Sequence, residues 1–234
     1  MMTMTKPKAA VSLLCNFAVF AQMCFYVRHY LLDRAGGKLY WVDLERLRYF
    51  TIESNLLAGL CCLPMMIWAA AVLLGAQGPI PRALQTLKHI GTAAVTVTMM
   101  TVLLFLGPTQ GYAAMLTGDM LYMHLLCPLL SLLSLVLCEG DGLTRRSCLL
   151  ATLPVLLYGG LYLYKVIVRG PSCGGWPDFY GFNFGGDPFK PGFQKGGYWF
   201  ISLPVMLLAG WGIACALRTL GRRFAQKKAS ADAV

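Results

Sequence analysis

Charge is what this sequence has least of. Asp, Glu, Lys and Arg make up 13% of its 234 residues, against roughly 25% in an ordinary soluble domain. So little solvating charge argues against a water-soluble surface and for a membrane protein. No polar block is long enough to form a second domain, so one bundle is the expected unit. The first apolar run has no small-residue cleavage site after it and is long for a signal-peptide core, so it is read as a helix. The nine cysteines form no CxxC pair and no cluster with histidine. Most lie inside apolar segments (Cys15, Cys24, Cys61, Cys62, Cys127, Cys138 and Cys215) and read as small packing residues, not a disulfide framework. HExxH and HxxxH are both missing, so neither a metal nor any other cofactor is expected. No internal repeat relates the first three helices to the last three, a pattern many transporters carry.

What is present is apolar: 57% of residues are hydrophobic and the mean hydropathy is +0.61. A spanning helix needs ~20 mostly apolar residues, and six segments qualify, at about 9–32, 48–74, 89–106, 112–138, 148–168 and 198–220. A "GPTQG" turn, residues 107–111, separates the third from the fourth. The predicted class is therefore all-α: a polytopic bundle of six transmembrane helices over residues 1–221, then a basic tail, 222–234, disordered at its end. The net charge of +10 comes from residues between and after the apolar runs. There they serve as topology signals and contacts to membrane lipids, and no nucleic-acid partner is expected. No oligomeric state follows from the sequence.

Polar residues inside spanning segments are costly and point to function. The second segment opens on "YFTIESNLL", residues 49–57. On a helix, Thr51 and Asn55 are i,i+4 neighbours, Ser54 lies beside them, and Arg48 falls one turn back on the same face. Glu53 points elsewhere and reads as an interfacial charge. The fourth segment carries "GDMLYMHLLCPLLSLLS", which puts His124 near mid-depth, with Thr117, His124 and Ser131 repeating every seven residues. Pro128 lacks an N–H and frees the carbonyl of His124. Asp119 lies about 140° around the helix from His124 and suits another cavity wall or the aqueous boundary. His29 and His89 sit near helix ends and read as half-exposed interfacial imidazoles. The plain reading of the Thr51 stripe is helix-helix glue, and that of His124 is a histidine bonded to a neighbouring helix. Together they also allow a hydroxyl and an imidazole to face each other in one bundle, a pair suited to attack on an ester carbonyl.

The fifth loop, residues 169–197, reads "RGPSCGGWPDFYGFNFGGDPFKPGFQKGG". Its Gly, Pro and aromatic content supports tight turns with rings at the interface level, either as an aromatic belt or as a lid across a cavity.

"YFTIESNLL" on the second helix and "HLLCPLL" on the fourth resemble the paired motifs of the androgen-induced and androgen-dependent TFPI-regulating membrane proteins and their bacterial relatives, which show F-T-x-x-S-N and H-x-x-x-P in a six-helix chain. The resemblance implies a multi-pass hydrolase of fatty acid esters of hydroxy fatty acids. It makes Thr51 the nucleophile and His124 its histidine. The Ser54–Asn55 step departs from the animal pattern, so these two residues inherit no role from it.

The function expected from these readings is a membrane-embedded hydrolase of lipid esters. Thr51 attacks, His124 acts as base and then acid, Asn55 or Ser54 donates to the oxyanion, and Arg48 attracts a fatty acid carboxylate; Asp119 is grouped with the substrate-binding residues. The alternative is a small transporter or lipid-binding membrane protein whose polar residues line a path. The expected location is the plasma membrane. Lys and Arg divide almost evenly between the two sides, and the cluster of Arg218, Arg222, Arg223, Lys227 and Lys228 behind the last helix favours cytoplasmic termini. A reporter fused after Val234 is expected to be active in the cytoplasm; an extracellular signal would reverse the orientation.

Overall fold

The computed structural model describes residues 3–28, 32–35, 38–42, 44–181 and 199–231, with side chains left undescribed for 32–45, 199 and 227–231. Among the described residues, six helices are long and apolar enough to cross a membrane. They are α1 (Lys6–Tyr26), α2 (Phe50–Leu73), α3 (Arg82–Gln110), α4 (Asp119–Glu139), α5 (Arg145–Arg169) and α6 (Trp199–Ala231). The protein is thus an all-α membrane bundle. A short antiparallel pair, β1 (Leu32–Ala35) and β2 (Lys38–Val42), fills part of the link between α1 and α2. Sequence patterning did not anticipate it, and carried the first helix too far, to residue 32. His29, residues 182–198 of the aromatic loop and residues 232–234 lie outside the described residues. Residues 222–231, assigned to a tail by composition, continue α6 as helix.

In hydrocarbon every backbone polar group must be satisfied within the chain, which is why apolar runs of this length become helices. Their ends follow local chemistry. Thr144 and Ser147 form a reciprocal capping box that starts α5: the Ser147 N–H donates to Thr144 Oγ1 at 3.2 Å and the Thr144 N–H to Ser147 Oγ at 3.1 Å. The expected turn at 107–111 is shorter than its composition suggested. Residues Gly107–Gln110 remain helical, and the chain breaks only at Gly111, whose φ of 93° suits glycine. The fourth helix starts at Asp119, not near residue 112, so Thr117 is exposed outside it and drops from the heptad drawn through His124 and Ser131.

Wide π turns interrupt α3 and α4 at Val102–Leu106 and Tyr122–Leu126, each just before a proline, Pro108 and Pro128. A proline donates no hydrogen bond to the turn before it, so the helix widens there. The second of these turns contains His124.

α3 is the central element. It packs on α2, α4, α5 and α6, and 67% of its apolar window is buried, against 17% for α6. Lys88, the residue just ahead of the apolar run at 89–106, and His89 therefore lie inside the bundle, fully buried, and His89 corrects the expectation of a half-exposed interfacial imidazole. His89 Nε2 pairs with the carbonyl of Ala214 at 3.0 Å, and Nδ1 with Ser147 Oγ at 3.3 Å. Lys88 Nζ donates to Cys62 Sγ at 3.2 Å and Ser131 Oγ at 3.1 Å. Close by, Glu139 Oε1 accepts from Ser12 Oγ at 2.6 Å and Asn16 Nδ2 at 2.7 Å. This buried network joins α1, α2, α3 and α4 toward the end of the bundle that carries the termini.

Because both donors to Glu139 are fully buried, Glu139→Ala should lower stability by ~1–3 kcal/mol. Arg146→Ala, on an exposed residue, should stay within about 0.5 kcal/mol. Thermal unfolding in a fixed detergent checks both, and equal melting temperatures would contradict the network's role.

Candidate functional site

The opposite end of the bundle encloses a cavity of about 500 Å³. Its walls are the end of α1 (Tyr26), the start of α2 (Arg46 to Ile52), the end of α3 (Leu106, Gln110), the start of α4 with its preceding turn (Met115 to His124), and Phe179 and Tyr180 of the fifth loop. Four of the six residues singled out in the sequence meet here: Arg48, Thr51, Asp119 and His124. Asp119 is exposed, Thr51 half-buried and His124 buried. No hydrogen bond joins Thr51 to His124; both open on the same space.

His124 is held by its own chain. Its Nδ1 lies 2.8 Å from the carbonyl of Met115. A carbonyl only accepts, so Nδ1 carries the hydrogen, which in the neutral ring leaves Nε2 as the acceptor. A backbone carbonyl thus does the orienting that a carboxylate performs in many sites.

Ser54 and Asn55, expected as oxyanion donors, do not line this cavity. Ser54 Oγ bonds Thr98 Oγ1 at 2.8 Å and the carbonyl of Thr51 at 3.1 Å, tying α2 to α3. Asn55 Nδ2 donates to the carbonyls of Thr51 at 2.7 Å and Met123 at 3.2 Å. One amide therefore fixes the backbone at Thr51 and, across the helix contact, at the residue before His124. Both side chains are spent on structure, and Asn55 is spent on positioning the two candidates.

Arg48 ends a 3-10 turn, Leu44–Arg48, ahead of α2. Its carbonyl accepts from the Tyr158 hydroxyl at 2.6 Å, and its guanidinium donates to Tyr49 Oη at 3.0 Å. The guanidinium also lies 5.8 Å from the Phe179 ring centre, while its buried Nε has no protein partner among the described residues.

Sequence reasoning missed Tyr180. Its hydroxyl accepts the N–H of Phe50 at 2.9 Å, at the first residue of α2. Its own N–H donates to Tyr162 Oη at 3.2 Å, and Tyr162 donates to the fully buried Asp178 at 2.6 Å. Burial pushes the Tyr180 phenol up to about 12, although the Tyr158 hydroxyl and the backbone and hydroxyl of Thr51 pull the other way. The phenol therefore keeps its proton at neutral pH. Only the aromatic content of the loop hinted at such a residue. The tight path there depends on Gly175, where a Cβ would collide with the carbonyl of Lys165 and come within 2.6 Å of that of Gly170.

Behind Thr51 runs a second, narrow space of about 60 Å³, lined mainly by apolar residues of α2, α3, α5 and α6, among them Val102, Val155, Leu163, Leu203 and Met206. Thr51, Leu106 and Tyr180 border both spaces. Compared with protein-family models, curated proteins and solved structures, the chain matches none of them.

Replacing Asn55 by Leu removes the side-chain donor to the Met123 carbonyl and one of the two to that of Thr51, and should cost ~1–3 kcal/mol of stability. Thermal unfolding reads this directly; an unchanged melting temperature would mean the bridge from Thr51 to Met123 does not hold the site together.

Proposed function

We propose that this protein is a membrane-embedded hydrolase of fatty acid esters, of the kind its two motifs resemble, with Thr51 as nucleophile and His124 as base. The observation that carries this reading is the seat of Thr51. It borders a polar cavity, which it shares with His124, and a narrow apolar cleft. An ester with a hydrocarbon chain matches that division: the first methylenes beside the carbonyl enter the cleft, the carbonyl lies at Thr51, and the polar part in the larger cavity.

The steps use groups already described. Thr51 Oγ bonds to the ester carbonyl carbon as its proton passes to His124 Nε2, and the carbonyl π electrons move to oxygen. Collapse of that tetrahedral species breaks the ester C–O bond, and His124 returns the proton to the departing alcohol. A water, deprotonated by His124, then adds to the acyl-threonine carbonyl; collapse breaks the bond from the acyl carbon to Thr51 Oγ, His124 returns the proton to that oxygen, and the fatty acid leaves. Arg48, whose Nε lacks a partner among the described residues, offers a charge-assisted donor to a carboxylate on the substrate. Asp119, exposed at the rim, faces the polar part. Membrane lipids surround the bundle, and we place it in the plasma membrane. With cytoplasmic termini the cavity opens to the outer face, because it lies at the bundle end away from them.

The transport alternative draws on the buried Lys88 and Glu139, since intramembrane charges suit ion or proton coupling. Val19, Ala58, Val95 and Cys127 pack together, with Cys62, on the helix turns between that network and the cavity. Thr92, Thr96 and Thr98 are buried on the same turns, and it is the division of space at Thr51 that favours the hydrolase.

Purified protein should turn over a p-nitrophenyl ester of a fatty acid. Thr51→Ala should lower kcat by at least ~10³-fold and His124→Ala by ~10²–10⁴-fold, while a fluorophosphonate probe should label the wild type and not Thr51→Ala. Turnover that survives both substitutions would defeat the reading.

A further inference from the structure

The larger cavity carries charges of both signs that do not meet. Arg48 lines it from the turn ahead of α2, and Asp119 from the first residue of α4. Among the described residues neither forms an ion pair: the guanidinium makes its hydrogen bond to the neutral Tyr49 Oη, at 3.0 Å, and the Asp119 side chain accepts none. Opposite charges that face one space, and not each other, are complementary to a ligand that carries both.

A fatty ester whose one charge is a carboxylate would suit Arg48 but meet Asp119 as a like charge. A ligand with an ammonium as well satisfies both walls. The guanidinium is already held for its anion, 5.0 Å from the Tyr49 ring centre and 5.8 Å from that of Phe179, so less side-chain freedom is lost on binding. Arg46, on the same short turn, also lines the cavity. Two guanidiniums on one wall suit a phosphate, which has oxygens to accept from both.

The order of these groups matches one molecule. Thr51 borders the apolar cleft inside the bundle, Arg48 precedes it on the chain just outside α2, and Asp119 stands exposed at the rim. A glycerophospholipid runs in the same order: acyl chain, ester, phosphate a few bonds away, and amine at the end. The cavity volume of about 500 Å³ falls within the usual range for small-ligand sites, ~300–1,000 Å³. A carboxylate such as Asp119 accepts hydrogen bonds, which a primary ammonium offers and a trimethylammonium does not.

We infer that the alcohol part of the substrate is a zwitterionic phospholipid head, a glycerol phosphate ester bearing a primary amine, with its phosphate at Arg48 and its ammonium at Asp119. This rests on the hydrolase reading for the bond that is cleaved and adds the class of substrate. Water remains the co-reactant: the acyl C–O bond breaks, and the products are a fatty acid and a glycerophosphoethanolamine.

The test gives purified protein four single-chain palmitoyl esters: lysophosphatidylethanolamine, lysophosphatidylcholine, lysophosphatidylglycerol and monopalmitoylglycerol. Palmitate release gives kcat/KM for each, and the ethanolamine lipid should exceed the other three about tenfold or more. Arg48→Gln should bring the phosphate lipids within about twofold of monopalmitoylglycerol, since the charge-assisted contact is gone. Asp119→Arg, at an exposed position, should invert the preference and put lysophosphatidylglycerol ahead of the ethanolamine lipid, a change that misfolding does not produce. Turnover of the p-nitrophenyl ester with no preference among the four lipids, with none of them cleaved, or with an order unchanged by Asp119→Arg would overturn the inference and leave the hydrolase standing. Absence of turnover of any ester, with no labelling of Thr51, would remove the hydrolase reading and this inference with it.

Discussion

The arrangement at the cavity depends on one side-chain amide. Asn55 Nδ2 holds the carbonyl of Thr51 on its own helix and that of Met123 on α4, so the backbone beneath the candidate nucleophile and the backbone beside the candidate base share a single donor. Carbonyls buried away from water carry a large penalty when left unpaired; Ser54 Oγ also donates to that of Thr51, while Asn55 alone carries the bond across to Met123. The π turn before Pro128 completes the geometry. Because the helix widens there, His124 can reach back to the carbonyl of Met115 in the preceding turn instead of following a regular helical path.

The two ends of the bundle solve the polar problem differently. Toward the termini, Lys88, Glu139, Ser12, Asn16, Cys62 and Ser131 are closed in upon one another, and the charged and amide members are fully buried. They bind helices. At the other end, Arg48, Asp119, Thr51 and His124 border open space. Polar content alone does not separate glue from site in a membrane protein; what separates them here is that the first set is sealed among helices, even with Asn16 Oδ1 and Glu139 Oε2 lacking a partner among the described residues, while the second borders open space.

That distinction explains what the sequence disclosed. Six apolar runs of spanning length dictate six helices, because hydrocarbon leaves the backbone no other way to satisfy itself. The spacing of Thr51, Ser54 and Asn55 does place them near one another on a helix, and His124 does come to the same cavity as Thr51. Helix ends were harder. Lys88 looks like the edge of a loop, yet three-dimensional packing supplies it with a thiol and a hydroxyl and draws α3 out to Arg82. The division of labour within "YFTIESNLL" was also hidden, since periodicity gives a face but not the partner waiting there. Tyr180 was beyond reach for a different reason: its place is set by a Gly- and Pro-rich turn and by contacts to residues 18 and 130 positions away, distances over which local pattern carries no information.

The same contacts give the fifth loop a double role that neither a belt nor a lid describes. An aromatic belt requires only that rings lie at the interface. Here Asp178 is fully buried and bonded to Tyr162, and Tyr180 meets the first amide of α2. A helix N-terminus has N–H groups without intrahelical partners, and in a membrane protein each must find an acceptor. The loop supplies one with the Tyr180 hydroxyl, which accepts the Phe50 N–H one residue from Thr51, between the polar cavity and the apolar cleft. Satisfying the start of α2 and closing the wall beside Thr51 are therefore the same structural act, which makes the loop's path a consequence of helix capping.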